Sequence, residues 1–179
     1  MMEIFDQKRV LDSFVVLRDT REQDTPRARR RYKALGVPCE RATLSYGDYT
    51  YNATLPDGSM IFDQGQTIAS KCVIERKESL AELAQCFTRD RKRFQNEFCR
   101  ARDNQAKIYL LIENGSIENL LNGKYRSKFN PNAFVASLVA WLVRYDMTIL
   151  FCKEESSGRL IREILYRDLK ERLERGEYG

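Results

Sequence analysis

Four short apolar runs, SFVVLRD (13–19), CVIE (72–75), KIYLLIE (107–113) and MTILFC (147–152), alternate with stretches of helical periodicity. That alternation leaves few folds open, because strands separated by helices favour a sheet with helices packed on it. TPRARRRYKALG (25–36) reads as a helix, with Thr25 as N-cap, Pro26 at its first position and Gly36 as its stop. Residues 79–103 carry apolar side chains at Leu80, Leu83, Phe87, Phe94, Phe98 and Ala101, which predicts a helical stretch with a bend near Thr88. Helices are also predicted over 131–145, with an apolar face at 134, 135, 138, 139 and 142, and over 157–174, apolar at 160, 161, 164, 165 and 169. Two further strands are expected within 38–55, around a Tyr46-Gly47-Asp48 corner. LPDGS (55–59) is a turn, 60–70 a polar arm or loop, 116–121 a short helix, and 122–130 a basic loop. The closing RGEYG is expected to fray. The expected fold class is therefore α/β, a central mixed β-sheet flanked by helices, in a single domain over 1–179 with a core of about 13–174.

Composition removes several function classes. The chain has no histidine, so histidine acid–base chemistry and histidine zinc sites are excluded. Its five cysteines, Cys39, Cys72, Cys86, Cys99 and Cys152, are scattered without a CxxC pair and read as reduced thiols of a cytosolic protein. No apolar run approaches the roughly 18 residues of a membrane span, and the N-terminus lacks the apolar stretch of a signal peptide. A cytoplasmic location is expected. A net charge of +5 and a pI near 9.0 permit a polyanionic partner without requiring one.

CVIERKESL (72–80) begins as a buried strand and turns charged at Glu75, Arg76 and Lys77. Ligands of such sheets tend to bind at the carboxyl ends of strands. Asp19 and Glu75 fall at or near strand ends, and Asp48 at the glycine corner can join them. In extended chain Glu75 and Lys77 share one face, with Arg76 on the other. Clustered carboxylates repel unless a cation neutralises them, and Mg²⁺ prefers such oxygens. Beside that ion Lys77 can orient or deprotonate a water and stabilise developing negative charge. Taken alone, ExK on an exposed strand end is usually just a solvated ion pair. The combination D…ExK is the signature of the PD-(D/E)XK nuclease core, a restriction-endonuclease-like fold.

RDTRE (18–22), LSYGDY (44–49) and VIERK (73–77) occur in that order and resemble the three motifs of the XPF-type structure-specific endonuclease domain, a branch of that superfamily. The resemblance continues through LLIE (110–113) to the final strand and helix. It implies a Mg²⁺-dependent endodeoxyribonuclease (Mn²⁺ able to substitute) that cuts branched DNA in repair or recombination. Asp19, Asp48 and Glu75 would be the acidic residues, Asp48 and Glu75 the firmest metal ligands, the Arg76 carbonyl a further ligand, and Lys77 the catalytic lysine. Arg21, Glu22 and the Arg76 side chain would support the metal site or face phosphate; an ordinary surface ion-pair cluster is the alternative. The family pattern places an acid four residues after the lysine, where this chain has Ala81, and Glu82 follows about 100° further round a helix. The chain reads as the nuclease domain alone, without helix-hairpin-helix or helicase modules. The resemblance also implies a homodimer or a partner subunit, with 131–145 and 157–174 as candidate surfaces unless they simply pack on the sheet. A catalytically silent DNA- or partner-binding subunit is the other reading, favoured only by Ala81.

Three basic stretches are candidates for phosphate contact: 26–33, 88–94 and 123–128. Arg89, Arg91, Lys92 and Arg93 are the best placed, directly after the charged strand; at least one of the other stretches is expected to be a solvated face. Nothing resembles a base-reading module, so recognition by DNA shape is expected.

Overall fold

The computed structural model describes residues 3–178. Its six strands are β1 (Val15–Asp19), β2 (Cys39–Ala42), β3 (Tyr49–Asn52), β4 (Cys72–Lys77), β5 (Lys107–Glu113) and β6 (Thr148–Cys152). They form one sheet in the order β2-β1-β3-β4-β5-β6. β3 runs antiparallel to both its neighbours and every other pair is parallel, so the sheet is mixed, as expected.

Helices cover both faces. α3 (Leu80–Phe87), α4 (Arg91–Asp103) and α6 (Pro131–Tyr145) pack on one, with the short α5 (Ile117–Leu121) beside α6. α1 (Ile4–Asp12), α2 (Pro26–Leu35) and α7 (Glu154–Glu174) pack on the other. The period of two along a strand explains why β5 is apolar throughout. Ile108, Leu110 and Ile112 enter the first core while Tyr109 and Leu111 enter the second. In the first core Trp141 of α6 sits 4.8 Å from the Phe87 ring and 5.1 Å from Phe94, joining α3, α4 and α6 through aromatic contacts.

The local signals behave as read for α2, where the Thr25 side chain accepts from Ala28 N–H and Gly36 closes the helix at φ +67°. The bend at Thr88 is the break between α3 and α4. Three features differ from the sequence reading. α1 lies in a segment for which no helix was expected. α7 starts at Glu154 rather than at 157, and Gly158 lies inside it where α2 packs closely: an added Cβ would meet the Arg31 carbonyl at 2.5 Å. The tail is pinned rather than frayed, since Tyr178 and Asp168 both hydrogen-bond to the Tyr51 hydroxyl; Gly179 lies outside the described residues. Among the described residues no helix is long and apolar enough to cross a membrane.

Candidate active site

Gly47 turns the chain so that Asp48 meets β4. Its φ is +73°, and a Cβ there would lie 2.8 Å from Val73 Cβ, so the corner needs glycine for both conformation and space. Asp48 is then fixed by its main chain: its N–H donates to Ile74 O and its carbonyl accepts from Asp19 N–H, each at 2.8 Å. Its side-chain Oδ2 accepts the Arg76 N–H at 2.7 Å. One carboxylate thus staples the corner to the strand where its charges begin.

Alternation along β4 divides those charges as the sequence implied. Glu75 and Lys77 lie on the α3/α4 side, both buried, with Lys77 Nζ 2.5 Å from Glu75 Oε1 and 5.0 Å from the centre of the Phe94 ring. Burial first, and then the Asp48 charge, push Glu75 up to about 8 against the pull of Lys77. Burial works against the Lys77 ammonium, but Glu75 and Asp48 outweigh it and hold the lysine above its ordinary value. Without a further cation, Lys77 is the counter-ion of this acidic pair.

Arg76 points into the opposite core and joins a buried network. Glu113, at the end of β5 and fully buried, receives Arg27 at 2.9 Å, Arg31 at 3.1 Å and Arg76 at 3.3 Å. Glu22 closes the network by accepting from the Tyr49 hydroxyl at 3.2 Å and standing 3.7 Å from both Arg31 and Arg76. Burial, then the neighbouring Asp48, raise its pKa.

Asp19 is buried at the end of β1 and is surrounded by donors. Oδ1 accepts the Arg21 N–H and Nε at 2.7 and 2.6 Å, while Oδ2 accepts Leu44 N–H at 2.9 Å and Arg21 Nη2 at 3.3 Å. This carboxylate anchors the motif strand to the Leu44 segment, and Arg21 extends from it to Glu97 of α4 at 2.9 Å.

A cleft of about 520 Å³ is lined by Asp48, Arg76, Lys77, Arg21, Arg27 and Arg93 among others, while Glu75, Asp19 and Glu113 lie beneath its surface. Glu82 also lines it, but its carboxylate is engaged at the start of α3. Glu82 N–H donates to Ser79 Oγ, and Glu82 Oε2 accepts from Glu78 N–H at 2.7 Å. Glu82 therefore caps a helix at the position next to Ala81. Among the described residues no three acidic or thiol side chains converge as a metal cage. Of the basic stretches, α2 is the paired one: Arg27, Arg29, Arg30 and Arg31 each meet an acid. Arg91, Lys92 and Arg93 are exposed and make no ion pair among the described residues, while Arg89 is exposed beside Asp90.

A comparison of the sequence with protein families gives the ERCC4 domain over residues 18–164, a span that takes in Asp19, Asp48, Glu75 and Lys77. The chain belongs to the ERCC4-domain family. Among solved structures, the ERCC4 domain described here is similar to "XPF from Aeropyrum pernix", with a TM-score of 0.60 and 17% identity over 92% of this chain and 69% of that one. It is also similar to "XPF from Aeropyrum pernix, complex with DNA", with a TM-score of 0.58 and 19% identity over 88% of this chain and 65% of that one. No curated protein matches. The fold is that of the XPF nuclease domain.

Glu113 and Glu97 are not singled out by the sequence, and Arg27 and Arg31, read there as candidates for phosphate contact in the basic stretch 26–33, are instead paired with Glu113. Glu113 carries a usable signal, because it ends an apolar parallel strand beside the strand that carries Glu75. Glu97 carries none, since an acid in a charged helix reads as a solvated side chain until the tertiary contact with Arg21 is known.

Proposed function

We propose that this ERCC4 domain is a divalent-metal-dependent endodeoxyribonuclease that hydrolyses phosphodiesters near branches, flaps or junctions. The observation that carries the reading is the placement of Asp48 and Lys77 on the wall of an arginine-lined cleft at the end of β4, with the Glu75 carboxylate paired to Lys77 just beneath it.

The donor set suits Mg²⁺, which usually takes one or two carboxylates and completes its shell with water and phosphate oxygens. Asp48 and Glu75 would hold it, with the Arg76 carbonyl as the further ligand that the family resemblance implies; Asp19 already has protein donors on both oxygens. When bound, the ion supplies an activated water and stabilises charge on the phosphate. Lys77, whose ammonium the neighbouring carboxylates favour, would orient the attacking water and stabilise the charge that develops as the bond breaks. Arg91, Lys92 and Arg93 would take the strand's phosphates, consistent with the DNA named for the second archaeal structure. The branch would be read by its shape, the mode that the family resemblance implies.

The partner surface belongs on α6. The apolar stripe of α7, Ile161, Leu165, Leu169 and Leu173, is buried against the sheet, whereas Val139 and Val143 of α6 are 50% and 74% exposed. Pairing of two copies over α6 would cover them.

The test is cleavage of labelled flap, splayed-arm, junction and linear duplex DNA with Mg²⁺ or Mn²⁺. Cutting confined to branched substrates is expected. Binding without cutting under either metal would replace the reading with a silent DNA-binding subunit, and cutting that follows a base sequence on linear duplex would replace shape recognition.

A further inference from the structure

Arg21 is 57% exposed, yet its guanidinium is held from two directions. Asp19 grips Nε and Nη2, and Glu97, 76 residues away on α4, grips Nη1 at 2.9 Å. A guanidinium has five N–H donors, so this arrangement leaves donor capacity on Nη1 at the cleft wall. A free arginine side chain loses rotamer freedom when it grips a ligand, and one already fixed loses much less. Glu97 itself is only 15% exposed and borders the same small cavity as Glu75, so its carboxylate adds negative charge beside an already acidic pair. Arg21 is the partner that compensates it. The contact also joins the β1 motif to the helix whose first residues are Arg91, Lys92 and Arg93.

We propose that Glu97 is a positioning residue of the cleft: through Arg21 it holds a pre-aimed guanidinium for a phosphate of the bound strand and sets that donor in register with the basic start of α4. The proposal rests on the endonuclease reading above for its consequence, but its geometry is testable apart from it.

The experiment compares the full chain with Glu97→Ala, Glu97→Gln, Arg21→Ala and the Arg21→Ala/Glu97→Ala double variant. Two readouts are used: the Arg21 Nε–H resonance and its exchange rate, and single-turnover cleavage of a flap DNA at saturating protein. In Glu97→Ala the Arg21 resonance should exchange faster, and cleavage should slow about tenfold with the DNA Kd changed less than about twofold. Glu97→Gln, which keeps an acceptor for Nη1, should restore most of both. The double variant should be no slower than Arg21→Ala alone. Full additivity in the double variant, or a Glu97→Gln protein as slow as Glu97→Ala, would overturn the positioning role, the latter pointing to the Glu97 charge acting on Glu75. If the native chain cuts no DNA, the endonuclease reading fails and the resonance decides alone: an unchanged Arg21 signal in Glu97→Ala sinks the clamp, and a freed one supports it.

Discussion

Lys77 Nζ stands 2.5 Å from Glu75 Oε1 inside the protein, with Asp48 as the second carboxylate in its field. The two acids beside this buried lysine favour its ammonium form, and burial first, with Asp48 second, pushes Glu75 up to about 8. One ammonium thus serves two carboxyl groups beside the cleft, and a divalent cation added there would favour ionising both.

The pair fixes a pH dependence in metal-free protein. Glu75 is raised from 4.5 to about 8, so its contribution to stability is present in full below about 4.5 and is lost as pH rises through about 8. Urea unfolding followed from pH 5 to 8 in chelator should show this decline, by up to about 1.4 kcal/mol per pH unit for one proton. Glu75→Gln should lessen it, leaving the part that the raised Glu22 contributes. An equal slope in both proteins would remove Glu75 as its source.

Much of this site was legible in the sequence because strand alternation is a rigid rule: once β4 is a strand, Glu75 and Lys77 share a face and Arg76 takes the other. The glycine corner was legible for the same local reason. The role of Arg76 was not, because its partners Glu113 and Glu22 come from elements whose approach only the sheet order decides. Nor does charge in sequence separate α2 from α4. Both are arginine-rich, and only the acids that meet the α2 arginines, against the unpaired Arg91, Lys92 and Arg93 at the start of α4, tell them apart.

Gly47→Ala should be destabilising by about 1–3 kcal/mol, since it combines a positive φ with a Cβ placed 2.8 Å from Val73. Thermal or urea unfolding measures it. Stability unchanged from native would show that the corner relaxes without strain.

Glu113 is the shared anion of three arginines. Glu113→Ala leaves those charges facing one another in a buried site and should cost about 3–5 kcal/mol, seen as a fall in the urea midpoint. A loss below about 1 kcal/mol would mean that Glu22, beside Arg31 and Arg76, and Glu154, 3.1 Å from Arg27, suffice, as for an exposed pair.

Replacing Arg91, Lys92 and Arg93 by glutamine should weaken DNA binding and lower the salt slope by about 0.9 for each lost phosphate contact. Glutamine at Arg29 and Arg30, which are paired with Asp24 and Glu154, should leave the slope as it is. Fluorescence anisotropy from low to moderate salt distinguishes the two sets, and the reverse ranking would move the DNA path to α2.

The most direct test of the central claim is single-turnover cleavage of the best branched substrate by native, Asp48→Asn, Glu75→Gln and Lys77→Ala proteins, with DNA affinity measured alongside. Each substitution should slow cleavage by at least about a hundredfold while Kd stays within about threefold, the pattern of interactions made in the transition state. Cleavage by Lys77→Ala at the native rate would contradict the account, because it would place the chemistry away from the end of β4.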